Sequence, residues 1–285
     1  MSTTTVPTVT LNDGTTIPQL GFGVWQVPAG QPTVEAVTAA LGAGYRHIDT
    51  AQMYGNQAGV GLGILEAGLT RDDVYITSKL NNGFHKRDDA LRSIDDTLTA
   101  LGTDHLDLFL IHWPLPKKYD GDFVQTWNAL VEIQAAGKAR SIGVSNFQVA
   151  HLEKLAAESD VTPAVNQVEA HPYFPNSEVI AYGAEHGIVT EAWSPLAQGT
   201  ITADPVPAKI GERVGKSASQ VVLRWHLQKG HVIFPKSTTP SRIAENFAIF
   251  DFELTPDELA SIDALDQGEK GRQGPNPDEF SWIPS

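Results

Sequence analysis

An alternation restricts what this chain can become: short apolar stretches recur along most of its length, each followed by a segment whose apolar residues return every three or four positions. Parallel strands need long crossovers, usually helices, so this order points to an α/β fold with a parallel sheet. Residues 45–48, 74–78, 106–111, 141–144, 164–166, 188–192 and 232–234 mark seven strands, with a weaker eighth near 19–23. The pattern over 285 residues suits a (β/α)8 TIM barrel, which commonly takes about 250. No composition break divides the chain, so a single domain over 1–285 is expected.

Local signals sharpen this. Residues 8–11 and 16–17 flank Asn12-Asp13-Gly14-Thr15, whose Asp-Gly step favours a tight turn, so an N-terminal β-hairpin should sit on the barrel. Leu91, Ile94, Leu98 and Leu101 trace one helix face before Gly102 stops it. Ser217 with Gln220, and Thr255 with Glu258, read as capping boxes. Gly59, Gly61 and Gly63 lack the strand and spacing of a dinucleotide fingerprint and read as a loosely packed helix. Residues 268–277 are polar and rich in Gly and Pro, a C-terminal tail in which Phe280, Trp282 and Ile283 can pack back.

The net charge of −14 sets the chain against nucleic acid and anionic membranes. With no cysteine, disulfides and thiolate metal sites are excluded. Residues 1–7 are polar and no stretch approaches the roughly 18 apolar residues of a membrane span, so a cytoplasmic protein is expected. His47, His105, His151 and His171 show no metal-ligand spacing, and no metal is expected.

Position then carries the chemistry. Asp49, Lys79, His112, Ser145 with Asn146, Gln167, Trp193 and Lys236 each fall at the C-terminal end of a different predicted strand, the face where barrel active sites are built. A phenol is a weak acid, with a reference pKa of about 10, and an adjacent ammonium lowers that value. Lys79 suits that role toward Tyr54, Asp49 would hold Lys79 charged, and a neutral His112 can donate a hydrogen bond to a carbonyl oxygen. The same residue types also suit a buried ion pair beside a core tyrosine. Downstream, Pro240 opens a helix whose first amides follow Lys236, Ser237 and Thr238, with Arg242 on its first turn; cations and free amides favour phosphate, although an ordinary surface helix looks similar.

The segment Gly44-Tyr45-Arg46-His47-Ile48-Asp49-Thr50-Ala51, with Tyr54-Gly55-Asn56, resembles the aldo-keto reductase signature. Further segments resemble successive family motifs in order: Ile76-Thr77-Ser78-Lys79-Leu80, His112-Trp113-Pro114, Ile142-Gly143-Val144-Ser145-Asn146-Phe147, Asn166-Gln167-Val168-Glu169 and Phe234-Pro235-Lys236-Ser237. Coverage runs from Thr8 to about Asp266, and Leu223 through Gly230 is similar to the bacterial 2,5-diketo-D-gluconic acid reductase branch. The resemblance implies a catalytic tetrad of Asp49, Tyr54, Lys79 and His112, in which Tyr54 protonates a small aldehyde or ketone as NADPH delivers hydride. It implies that Ser145, Asn146 and Gln167 hold the nicotinamide carboxamide and that Trp193 stacks on the ring, followed by Ser194 and Leu196. It further implies that Lys236, Ser237 and Arg242 meet the 2′-phosphate, with Thr238 beside them among the cofactor-binding residues, that Glu245 and Asn246 face the adenine, and that the enzyme is a monomer.

Two positions depart from the family pattern. Gln57 stands where many relatives carry Glu, and Asn81-Asn82 stand where many place a Trp in the pocket wall. The remaining aromatic wall would be Trp25, Tyr54 and Trp113 beside His112, with Phe22 and Trp282 as further candidates that suit core filling equally. Lys117-Lys118 reads as a solvated loop pair. Two rival readings are a cofactor-binding sensor or scaffold without turnover, and a barrel glycoside hydrolase using Glu169 and Glu191.

Overall fold

The computed structural model describes residues 6–284. Strands β1 (Thr8–Thr10) and β2 (Thr16–Pro18) form the expected antiparallel hairpin, with Gly14 at φ 84° in its turn. Eight parallel strands follow: β3 (Phe22–Gly23), β4 (His47–Asp49), β5 (Tyr75–Leu80), β6 (Leu106–Ile111), β7 (Ala139–Ser145), β8 (Val165–Glu169), β9 (Val189–Trp193) and β10 (Val232–Ile233). They pair in sequence order. A parallel bridge between Leu20 and Ile233 joins the two ends, with Gly21 N donating to Ile233 O at 2.7 Å and Ile233 N to Gln19 O at 3.0 Å. The fold is therefore the (β/α)8 barrel.

Alternation along β6 sorts its side chains. Leu108 and Leu110 pack with Leu11 and Ile17 of the hairpin segment, which plugs one end of the barrel. Phe109 and Ile111 join the larger cluster under the helices, where helix Arg87–Leu101 buries Ile94, Leu98 and Leu101 and ends on Gly102 at φ 67°. Both expected capping boxes form, at Ser217 and Thr255.

Strands β4, β5, β7, β8 and β9 run past their predicted ends, because that reading stopped each strand where its apolar run gave out. The barrel interior accepts polar side chains at its upper end, so Asp49, Lys79, Ser145, Gln167 and Trp193 lie within strands rather than after them. The glycine-rich helix is also corrected. Helix Gln57–Glu66 is tightly packed: a Cβ on Gly61 would meet Leu101 O at 2.2 Å, and one on Gly63 would meet Val37 Cβ at 2.7 Å. These glycines admit neighbouring backbone and side chains.

Candidate active site

Four chain segments deliver the expected tetrad to one place. Asp49 ends β4, Tyr54 closes the short turn Gln52–Tyr54, Lys79 lies in β5, and His112 follows β6. Lys79 is buried, and its Nζ donates to Asp49 Oδ1 at 2.7 Å, Thr50 O at 2.9 Å and Tyr54 Oη at 3.4 Å. An ammonium has three donors, and all three are engaged. Because Tyr54 Oη accepts from Lys79, its own O–H is left to donate elsewhere.

Charge follows from burial and neighbours. Burial alone would lower the Lys79 pKa, but Asp49 and Tyr54 more than restore it and the net shift is upward. Burial raises the Asp49 carboxyl, opposed by Lys79 and Gln167. For Tyr54, burial raises the phenol, Lys79 lowers it and Asp49 raises it; the net displacement is upward, opposite to the direction expected from Lys79 alone. Burial, then Lys79 and His85, hold the His112 imidazole well below its ordinary value, so it is neutral. The Tyr54 and His112 rings meet edge to face at 5.8 Å.

Beside the tetrad, the residues expected to hold a carboxamide come together. Ser145 Oγ donates to Gln167 O at 2.8 Å, and Asn146, at φ 63°, donates from Nδ2 to His112 O at 2.9 Å and Ser145 Oγ at 3.1 Å. Trp193 Nε1 donates to Asn146 Oδ1 at 2.8 Å, which fixes the indole of a half-buried ring. Gln167 Nε2 donates both to Asp49 Oδ2 at 2.8 Å and to Glu191 Oε2 at 2.9 Å. Among the described residues nothing donates to its Oε1.

The phosphate candidates lie beyond β10. Lys236, Thr238 and Arg242 are exposed and Ser237 half-buried, and among the described residues neither Lys236 nor Arg242 makes an ion pair. Helix Pro240–Phe247 starts without a side-chain cap, which leaves its first amides free. Glu245 is exposed while Asn246 is turned inward. Ser194, at φ 50°, and the half-buried Leu196 begin the loop after β9.

Around the mouth, Trp25 is 47% exposed, whereas Phe22 is buried against Tyr45 and belongs to the core. Trp113 is buried under Phe280 of the tail, ring centroids 4.1 Å apart. Gln57 accepts from Ser78 Oγ at 2.7 Å, next in sequence to Lys79. Asn82, wholly buried, donates from Nδ2 to Trp282 O at 3.0 Å, so the position lacking the usual Trp hooks a tail residue that brings one. Lys117 and Lys118 are both exposed, as a solvated pair should be; Lys117 also pairs with Glu279 of the tail, while Lys118 borders an open groove of about 650 Å³ with Phe280 and Trp282.

Sequence reasoning missed the two carboxylates as supports. Glu169 Oε1 accepts from Gln273 N at 2.7 Å and Oε2 from Gly274 N at 2.9 Å. His171 Nδ1 accepts from Phe174 N, so its Nε2 carries the hydrogen that it donates to Glu169 Oε1 at 3.1 Å. That clasp sets Gly274 against the Trp193 ring, where a Cβ would come within 2.3 Å of the indole. Asn56, which the sequence shows only as part of a motif, is a further support: its Nδ2 holds Val24 O and Val27 O on either side of Trp25. Among the described residues no group of acidic and histidine side chains has the arrangement of a metal site, and no helix is long and apolar enough to cross a membrane.

A closed (β/α)8 ring with phenol, ammonium, carboxylate and imidazole gathered above it defines, as a class, a barrel oxidoreductase. The chain belongs to the aldo/keto reductase family, whose model matches residues 19–267. An aldo-keto reductase of Mycolicibacterium smegmatis is 48% identical over 97% of this chain and 99% of its own length. The methylglyoxal reductase DkgA of Escherichia coli K12 is 46% identical, covering 96% and 98%, and the glyoxal reductase of Bacillus subtilis 47%, covering 98% and 99%. Among solved structures, a mutant of Gox0644 in complex with NADPH has a TM-score of 0.93 at 39% identity, covering 98% of this chain and 100% of that one. The family works with a nicotinamide cofactor.

Proposed function

We propose that this protein reduces small aldehydes and ketones with NADPH, and that Tyr54 is the proton donor. The observation that carries the reading is the direction of one hydrogen bond: Lys79 donates to Tyr54 Oη, so the phenol hydrogen is available to a substrate oxygen. Bound NADPH supplies the hydride. As negative charge develops on the carbonyl oxygen, Tyr54 gives up its proton, and Lys79 stabilises the phenolate left behind. Asp49 keeps Lys79 charged through the step. The raised Tyr54 pKa suits this role, since an alkoxide is a far stronger base than a phenolate and the donor must remain protonated until the charge appears. Neutral His112, its ring 5.8 Å from that of Tyr54, donates to the same oxygen.

The site residues suit NADPH. Gln167 Oε1 is an acceptor for the carboxamide N–H, and Asn146 Oδ1 keeps a second lone pair beside Trp193 Nε1. Ser145 must turn its hydroxyl from Gln167 O to meet the carboxamide oxygen. Lys236 and Arg242, which make no ion pair among the described residues, offer positive charge with the uncapped helix start to a 2′-phosphate on a chain of net charge −14.

Glu169 and Glu191 are committed inside the protein, which disfavours the glycoside hydrolase reading. NADPH oxidation with a panel of carbonyl compounds, beginning with the methylglyoxal and glyoxal that name two relatives, is the test. Cofactor binding by tryptophan quenching without turnover of any member would instead support a sensor.

A further inference from the structure

One buried titratable group has no part in proton delivery or in holding the tail. Glu191 lies on β9 in register with Gln167, is completely enclosed, and has an oxygen, Oε1, with no hydrogen-bond partner. Around it stand His47 and Asp49 from β4, Tyr75 and Lys79 from β5, and Gln167 from β8.

We infer that Glu191 is a positioning residue for the cofactor: with Asp49, it fixes the Gln167 amide so that Oε1 faces the nicotinamide carboxamide. The inference rests on the NADPH reading given above. A primary amide has a donor end and an acceptor end, and the neighbours decide which way it lies. Here both neighbours are carboxyl oxygens, Asp49 Oδ2 at 2.8 Å and Glu191 Oε2 at 2.9 Å. Reversal would set the amide oxygen against the Asp49 carboxylate and withdraw the N–H that Glu191 Oε2 accepts. One hydrogen bond leaves the amide free to turn about it, whereas two diverging bonds define its plane, and only the second comes from Glu191.

The state of Glu191 fits this task. Burial and then Asp49 push its carboxyl up to about 8, so near neutral pH it holds a proton. Because Oε2 accepts from Gln167, the oxygen left for that proton is Oε1, which has no partner among the described residues. His47 Nδ1 faces Pro18 O and its Nε2 meets Thr77 Oγ1 at 2.9 Å, so the ring is held without Glu191. Glu191 Oε2 then accepts from Gln167 as a carbonyl does, and a glutamine reproduces the arrangement.

The test uses NADPH and its reduced analogue with an acetyl group in place of the carboxamide, which has no N–H to give Gln167. Binding is read by tryptophan quenching. Wild-type protein should prefer NADPH by about three- to tenfold, the worth of one hydrogen bond. Glu191→Met, of similar volume and without a polar group to bury, should bind both within about twofold, while Glu191→Gln keeps the preference. The inference is overturned if Glu191→Met retains the preference, if Glu191→Gln loses it, or if Glu191→Met loses its native circular dichroism, since Glu191 then serves the barrel rather than the amide. Failure of wild-type protein to bind NADPH would instead refute the proposed function.

Discussion

Glu169→Gln tests whether a buried carboxylate holds the tail over the site. The carboxylate accepts Gln273 N, Gly274 N and His171 Nε2 at 2.7, 2.9 and 3.1 Å. Hydrogen bonds to a charged group contribute about 1.5–3 kcal/mol each. Glutamine replaces one accepting oxygen with a donating NH2, so at least one tail amide or the His171 N–H faces another donor. Losing one bond and adding that opposition costs about 2–4 kcal/mol, which raises the opening equilibrium of the tail about 30- to 1,000-fold at 1.36 kcal/mol per tenfold. Native-state hydrogen exchange should show that acceleration at Gln273 and Gly274, with the amides of β6 unchanged. With the tail loosened, Phe280 leaves Trp113 and the KM for carbonyl substrates rises. Unchanged exchange at Gln273 and Gly274 would refute the clasp, and equal acceleration in β6 would show that Glu169 holds the barrel instead.

Tyr54→Phe should lower turnover by about 10²- to 10⁴-fold while NADPH affinity is kept, and unchanged turnover would remove Tyr54 from the chemistry. Arg242→Ala should weaken NADPH much more than NADH, since only NADPH carries the extra phosphate; equal losses would remove Arg242 from that contact. Gly61→Ala gains about 1 kcal/mol of helix propensity but forces a methyl group onto Leu101 O, so urea denaturation should show net destabilisation of about 1–2 kcal/mol. Stability should fall as pH drops from about 6.5 toward 4. Burial holds His47 at about 3, His85 and His231 at about 4, and His112 and His226 well below their ordinary value, so the unfolded chain binds protons there that the folded chain refuses. Urea melts equally stable at pH 7 and pH 5 would contradict that linkage.

The fold was legible because its signals are local. Asp13-Gly14 makes its turn, Ser217 and Thr255 cap their helices, and β6 ends where its apolar run ends. Short β3 was faint because a two-residue strand containing Gly23 offers almost no periodicity. The tetrad was legible because strand ends place their side chains at one mouth, whatever the distance in sequence. The supports were not. Gln167 reaches Asp49 across 118 positions and Glu169 reaches Gly274 across 105, and nothing near either residue announces the partner. Gly61 misled for the same reason: a glycine reads as weakness until the carbonyl pressed against it is known.

Every barrel has a seam where its last strand meets its first, and here the two strands that meet are two residues each. At that join Gly23 lies so near Phe234 O that a Cβ would sit 2.7 Å from it, and the ladder is a single bridge flanked by loops. The β6–β7 ladder, by contrast, pairs five residues on each strand. Trp25 leaves one side of it and Lys236 the other. The residues proposed for the substrate wall and for the phosphate thus flank the join with the fewest strand pairings, while Asp49 and Lys79 share the β4–β5 ladder and His112 follows β6.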